Sequence, residues 1–380
     1  MTHFKVLVVE TLSASNDYAV SLAAALAEKT NLTFLTVRDS QIPADTPCRL
    51  LRAIPLRGRL GFKNALPLFE YILVLTRELW HHRRGIVHIQ FFQYKAVEAP
   101  IYILARLLFL RRLIFTAHDA LPHEPKRWHK LFYKLWYRVV DEIHVLGSYT
   151  AEKLQELGIR TEQIHLVPHG NYDLFLFRNT PEPRDSTRKR YGARSNDTVF
   201  LMFGLIRPYK GLDLLVQAFC KVPIDCNAYL IVAGGGDQDL FDSAKALLRR
   251  GGKDRRASLN FGFVEDAELA NLITASDAVV LPYRHIYQSG ALLLAMTYGK
   301  AIIASDIPGF RDYVTHGEES LLINPENSAE LSNAIQALSG DADRRLEMGE
   351  RARLRACQTY GWSKIADDLV KIYAEPTETN

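Results

Sequence analysis

Short apolar runs alternate along this chain with longer stretches in which apolar residues recur every three or four positions. The first kind reads as strands buried on both faces, the second as helices packed through one stripe. A run over residues 4–10 leads into a polar loop, then an alanine-rich helical pattern over 18–29 with Asn16 or Asp17 as its N-cap, then a strand over 31–37. Strand, loop, helix, strand in that order predicts a parallel sheet with crossover helices. Helical patterns follow at 65–82, 99–110 and 149–157, and strands at 85–90, 113–116, 142–146 and 164–167. Residues 179–198 hold Pro181, Pro183 and five basic residues with few large apolar ones, which predicts a linker. The pattern then restarts with strands at 199–203, 228–233, 258–263, 278–281, 302–304 and 320–323, and it ends in helix from 329 to about 374. The chain reads as α/β, with two doubly wound domains, 1–178 and 199–361, and a cleft between them.

Composition changes this picture little. At 380 residues the chain exceeds one ordinary core, and 48% hydrophobic with 24% charged residues argues against disorder. Four cysteines without paired spacing read as reduced thiols of a cytosolic protein. The start has no charged-then-apolar leader, and no stretch of about 18 uncharged apolar residues predicts a membrane span. The net charge is only +4, but its distribution is uneven. Arg49, Arg52, Arg57, Arg59 and Lys63 fall among Leu, Ile, Pro and Phe. Over 122–140, Leu131, Leu135 and Val139 recur at helical spacing beside a stripe of Trp128, Phe132 and Trp136, with Lys126, Arg127, Lys130, Lys134 and Arg138 between them. That composition predicts a cationic amphipathic helix on an anionic membrane, peripheral at its inner, cytoplasmic face. The alternative is a helix packed on its own domain with a solvated basic face. No nucleic-acid-binding motif lies beside it, so no nucleic-acid partner is expected.

Two loops carry the candidate chemistry. Over 204–211, Arg207 and Lys210 lie between flanking glycines at the mouth of a strand–loop–helix unit. A guanidinium that grips two oxygens and a mobile ammonium suit a diphosphate. The loop after the strand 278–281 ends in Gln288-Ser289-Gly290 and opens a helix at Ala291, where free backbone N–H groups form an anion site. The first loop of the chain has no glycines, which disfavours a dinucleotide-dependent oxidoreductase. His118 and Asp119 follow the strand 113–116, and Asp119 or Glu124 is the candidate general base. Glu10 and Asp17 are weaker carboxylate candidates, and His169 is a candidate hinge residue.

Taken together, Gly204…Arg207…Lys210-Gly211, Gly234-Gly235-Gly236, Asn260 to Val264, Ala275-Ser276-Asp277-Ala278…Leu281-Pro282 and Ser289-Gly290…Ala295-Met296…Gly299 to Ser305 resemble GT-B glycosyltransferases of family 4, the glycogen-synthase-like clan. Val167-Pro168-His169-Gly170 is similar to the hinge-proximal segment of the same enzymes. The resemblance implies a GT-B fold, two Rossmann-like domains with an inter-domain cleft, and a final helix over about 362–375 that returns to the first domain. It implies a nucleoside-diphosphate sugar in the second domain. Arg207, Lys210, Ser289, Gly290 and Ala291 would hold its diphosphate, and Gly204, Gly234, Phe263, Val264, Gln288 and Leu294 its sugar and nucleoside. His118 would touch the donor sugar. No cofactor and no obligatory metal are implied. In one respect the chain departs from the family: two glutamates usually stand eight positions apart where this chain has Ile286 and Leu294. The retaining outcome is therefore not carried over with the fold. The expected function is transfer of a hexose to a lipid-linked saccharide in cell-envelope or exopolysaccharide synthesis. A soluble acceptor and a non-catalytic nucleotide- or glycan-binding protein are the alternatives, and the donor base, guanosine or uridine, stays open.

Overall fold

A computed structural model describes residues 4–11, 17–38, 40, 42, 46–54, 65–92, 94–122 and 127–375. The chain divides into two compact units, Met1–Gly170 with Tyr360–Asn380, and Asn171–Thr359. Seven strands form the sheet of the first: β1 (Lys5–Val9), β2 (Asn31–Val37), β3 (Arg49–Ile54), β4 (Ile86–Ile89), β5 (Arg112–Ala117), β6 (Glu142–Val145) and β7 (Ile164–Leu166). All pair in parallel, in the order β3-β2-β1-β4-β5-β6-β7. The order reverses between β1 and β4, so a crevice opens at their carboxyl ends, where Glu10 and Gln90 sit. Its helices are α1 (Asp17–Ala27), α2 (Ala65–His81), α3 (Lys95–Leu108), α4 (Arg127–Val139) and α5 (Ser148–Glu156).

The second unit begins with α6 (Asp173–Arg178) and α7 (Arg184–Arg190). Its sheet comprises β8 (Thr198–Phe203), β9 (Ala228–Gly234), β10 (Ala257–Phe261), β11 (Ala278–Leu281), β12 (Ala301–Ser305) and β13 (Ser320–Ile323), all parallel, in the order β10-β9-β8-β11-β12-β13. The helices are α8 (Leu212–Lys221), α9 (Gln238–Arg250), α10 (Asp266–Ala275), α11 (Gly290–Thr297), α12 (Pro308–Arg311), α13 (Ser328–Gly340) and α14 (Ala342–Thr359). Phe200, Met202, Leu215, Phe219, Val232, Val280 and Ile303 fill its core. The switch of strand order falls between β8 and β11, which bear the two loops singled out from sequence.

The last helix, α15 (Trp362–Ala374), belongs to the first unit and packs against α1. Arg112, buried at the start of β5, explains its seat. Its guanidinium donates to the carbonyls of Ile372 (2.6 Å), Tyr373 (2.8 Å) and Glu375 (2.7 Å). These carbonyls lie in the last turn and at the C-cap of α15, where intrahelical partners run out and, among the described residues, only Ile372 O also accepts the Glu375 N–H (3.3 Å), and a cation there complements the helix dipole.

One expectation from sequence needs correction, and the fold places two basic segments. Residues 179–198 are not a linker: they form α7 and lead into β8 within the second unit, where Arg188 anchors them. Arg188 is buried and donates to Ala275 O and Asp197 O (both 2.9 Å) and to Asp277 Oδ2 (2.5 Å). The chain passes between units at 170–171 rather than at 178. The basic stretch 49–63 begins as the edge strand β3, with Arg49 held by both oxygens of Glu78 on α2 (2.8 and 2.9 Å). Charged side chains are a usual guard on such edges. Arg57, Arg59 and Lys63 lie outside the described residues. In α4, Tyr133, Trp136 and Tyr137 are buried, while Trp128, Leu131 and Leu135 are more than half exposed, so the Leu131–Leu135 stripe faces outward and Trp136, expected beside it, packs inward. Lys126 also lies outside the described residues. Among the described residues no helix is long and apolar enough to cross a membrane.

Candidate functional site

In the second unit, Gly204 follows β8, and its N–H donates to Ala233 O (3.0 Å). The chain then bridges to the end of β9 through Ile206 N to Gly235 O (2.6 Å) and Asp237 N to Ile206 O (3.0 Å). A Cβ on Gly234 would stand 1.9 Å from Gly204 O, so the glycines after β9 permit this backbone contact. A short 3-10 turn, Pro208–Lys210, follows, and Gly211 closes it in the left-handed conformation (φ 70°). A Cβ at Gly211 would lie 2.1 Å from Pro282 O, so the turn is pressed against the end of β11.

This seating buries Lys210. It is 9% exposed, with its Nζ 5.2 Å from the Tyr283 ring centroid, and no side-chain hydrogen bond or ion pair satisfies it among the described residues. Burial pulls its ammonium below the ordinary lysine range. Arg207, by contrast, is exposed at the rim of the same loop. Beneath Lys210, burial pushes the Tyr283 phenol up, with neighbouring Ser289 acting in the opposite direction. Ser289 caps α11, its Oγ accepting the Leu292 N–H (3.3 Å). The N–H groups of Gly290 and Ala291 have no hydrogen-bond partner among the described residues. Lys210 over Tyr283 and the unfilled N-terminus of α11 are linked through Tyr283 and its neighbour Ser289, an arrangement an anion would complete.

Gln288 is half-buried, and its Oε1 is enclosed without a partner. Ile286 (7% exposed) and Leu294 (5%) are both buried, as apolar replacements of glutamates would be. Phe263, just beyond β10, is 85% exposed, and Val264 beside it is half-buried. Sequence reasoning missed Tyr172. Its hydroxyl lies 2.4 Å from where a Cβ on Gly290 would stand. Cα–Cβ bonds tilt toward a helix's N-terminus, so the phenol sits at the anion end of α11. Its N–H is held by Thr297 Oγ1 (3.1 Å). Nothing local in the sequence links residue 172 to residue 290.

The first unit holds the remaining candidates. His118 and Asp119 follow β5, and Tyr137 Oη donates to Ala120 O (3.0 Å) to fasten that turn. The His118 ring meets Tyr18 edge-on at 5.1 Å, and its Nε2 is enclosed without a partner. Burial, then the charges of His169 and His144, push it down to about 3. His118 is therefore a neutral imidazole. Asp119 is half-buried, and Glu10 is buried at the end of β1. Glu124 lies outside the described residues, whereas Asp17 opens α1. His169 packs between Tyr18 (4.6 Å) and Trp362 (6.1 Å), pushed down to about 4 by burial.

A polar chain runs behind these groups. Tyr373 Oη donates to His88 Nδ1 (2.6 Å), His88 Nε2 meets Thr116 Oγ1 (2.8 Å), Thr116 Oγ1 meets His144 Nδ1 (3.0 Å), and His144 Nε2 donates to Val167 O (2.8 Å). The chain ties α15 to β4, β5 and β6 and to the residue after β7. Among the described residues there is no cluster of three or more His, Cys, Asp or Glu side chains that would hold a metal ion.

Two parallel doubly wound sheets, with a cation loop and a helix N-terminus at the switch point of the second, define the GT-B class of glycosyltransferases. The comparisons with known proteins agree. A model of the glycosyl transferases group 1 family matches residues 183–355, and one of the glycosyl transferase 4-like domain matches residues 13–170. The chain belongs to this family of GT-B glycosyltransferases. It is 26% identical over 227 residues to an alpha-D-kanosaminyltransferase of Streptomyces kanamyceticus, covering 59% of this chain and 57% of that protein. It is 26% identical over 250 residues to a D-inositol 3-phosphate glycosyltransferase of Xylanimonas cellulosilytica, covering 63% and 59%. The matches thus span under two thirds of these relatives' lengths. In structure it is similar to Anabaena HepE, solved in complex with UDP and glucose, with a TM-score of 0.74 at 18% identity over 98% of this chain and 100% of that one.

Proposed function

We propose that the chain transfers a hexose from a nucleoside-diphosphate sugar to a saccharide acceptor carried on a lipid. The buried, unpaired ammonium of Lys210, with the open N-terminus of α11, carries the donor half of this reading. Breaking the C1–O bond to the diphosphate leaves negative charge on the leaving group. Lys210, Arg207 and the N–H groups of Gly290 and Ala291 would meet that charge, so no metal ion is required. Gln288 would orient the sugar, and the exposed Phe263 with Val264 would lie along the nucleoside. On the first unit, neutral His118 would hydrogen-bond the transferring sugar, and Asp119 would take the proton of the acceptor hydroxyl as the new C1–O bond forms. With Ile286 and Leu294 in place of carboxylates, we read the outcome as inverting.

The lipid part rests on the outward faces of α2, α3 and α4. Phe69, Leu73 and Trp80 on α2, Leu104, Leu107 and Leu108 on α3, and Trp128, Leu131 and Leu135 on α4 are all more than half exposed. Lys130 and Arg138 stand among them, as suits an anionic membrane surface at the cytoplasmic side. A second reading, a soluble acceptor, is favoured by the names of the two curated relatives, kanosaminyltransferase and inositol 3-phosphate glycosyltransferase.

A panel of UDP- and GDP-hexoses read by thermal shift, with EDTA present, tests the donor half. One donor should raise the midpoint, and no shift with any would end the reading. Sedimentation with vesicles containing anionic lipid separates the acceptor readings. Pelleting at low salt supports the lipid acceptor, and protein left in the supernatant supports the soluble one.

A further inference from the structure

The Arg207–Lys210 loop and the loop after β11 are far apart in sequence, and the Arg284 side chain ties them by hydrogen bonds. The Arg284 N–H donates to Tyr209 O (2.7 Å). Its guanidinium donates to Pro208 O (2.5 Å), to both oxygens of Asp213 (3.0 and 2.8 Å) and to Glu326 Oε1 (3.0 Å). Asp213 lies in the first turn of α8, where the helix dipole favours a carboxylate. Glu326 holds a left-handed backbone (φ 63°), a conformation that costs a non-glycine residue energy and persists only where its surroundings impose it. Arg284 therefore grips the loop on both sides of Lys210, while its own donors point into protein.

This grip has a physical reason. A buried ammonium without a partner gains hydration by swinging out, and the loop that carries it will relax unless something holds it. We propose that Arg284 is a positioning residue of the donor site, clamping the cation loop through Asp213 so that Lys210 is in place before the diphosphate arrives. Ordering done in advance need not be repeated on binding, so affinity for the diphosphate rises without new contacts. The inference rests on the reading of Lys210 as a diphosphate ligand.

A double-mutant cycle tests it: Arg284→Ala, Asp213→Ala and the pair, each titrated with UDP and GDP by calorimetry. Each single change should weaken the nucleotide that binds by about tenfold, and the pair by no more than either alone. The charge-swapped protein, Arg284→Asp with Asp213→Arg, should recover part of the loss. Thermal melts and Arg284→Lys, which keeps the charge but not the fork, guard against misfolding. Unchanged affinity in folded variants, or additive losses, overturns the clamp. Lys210→Met run alongside separates the two readings: if it too leaves affinity unchanged, the donor-site assignment has failed rather than the clamp.

Discussion

At Lys210, stability and binding pull in opposite directions. Its ammonium is buried over Tyr283 without a counter-charge, which costs the folded protein free energy unless a ligand supplies the charge. Lys210→Met should therefore raise the thermal midpoint, by about 1 kcal/mol in stability, while weakening nucleotide binding. A melt and a titration on the same sample check both halves. Gly290 makes the converse point. Gly290→Ala puts a methyl on the Tyr172 hydroxyl and should cost about 1–3 kcal/mol, with Tyr172→Ala in the same chain recovering most of it. Denaturant melts of the three variants check this, and equal melts for the single and double variants would contradict it. The place of Arg207 and Lys210 in a loop after a strand was legible in the sequence, because glycines that follow an apolar run mark such a turn. Tyr172 and Arg284 were not, because their partners lie across the fold and no local pattern marks them.

Among the elements, β8 to β13 could be read almost strand by strand, since runs such as Ala278–Leu281 are buried on both faces and carry no polar residue. The expected linker fails because a basic segment can be satisfied inside the fold. Arg188 and Arg49 are satisfied by Asp277 and Glu78, so a basic segment became a packed helix and a sheet edge. In α4 the aromatic Tyr133, Trp136 and Tyr137 compete with the aliphatic stripe for the core and win, and periodicity alone cannot rank two stripes. The hold of Arg112 on α15 is testable at this scale. Arg112→Met removes three hydrogen bonds to carbonyls at the end of α15, and the variant should lose about 3 kcal/mol and expose the segment after Tyr360 to trypsin. Wild-type protection in limited proteolysis would show that α15 is held by its apolar face instead.

For the molecule as a whole, the histidines of the first unit set the pH range of stability. His118 is pushed down to about 3, and His144 and His169 to about 4, chiefly by burial. In the unfolded chain each titrates near about 6.5. The folded state therefore binds fewer protons than the unfolded state between those values. Stability should be level above about pH 6.5 and fall as pH drops toward 4, by on the order of 1 kcal/mol per pH unit for each group. Denaturant midpoints at pH 7.5, 6 and 5 check this, and a flat series would contradict it. The two-unit α/β plan and the places of the loops after β8 and β11 were legible because strand hydrophobicity and glycine spacing are local properties. Unit boundaries and the histidine chain depend on contacts between distant strands and were not. The central claim is that the second unit holds a nucleoside diphosphate through Lys210 and the N-terminus of α11. Calorimetric titration of UDP and GDP into wild-type and Lys210→Met protein tests it most directly. The account predicts saturable binding of one nucleotide to the wild type and at least tenfold weaker binding to the variant. Equal affinity in both proteins, or no binding of either nucleotide to the wild type, would contradict it.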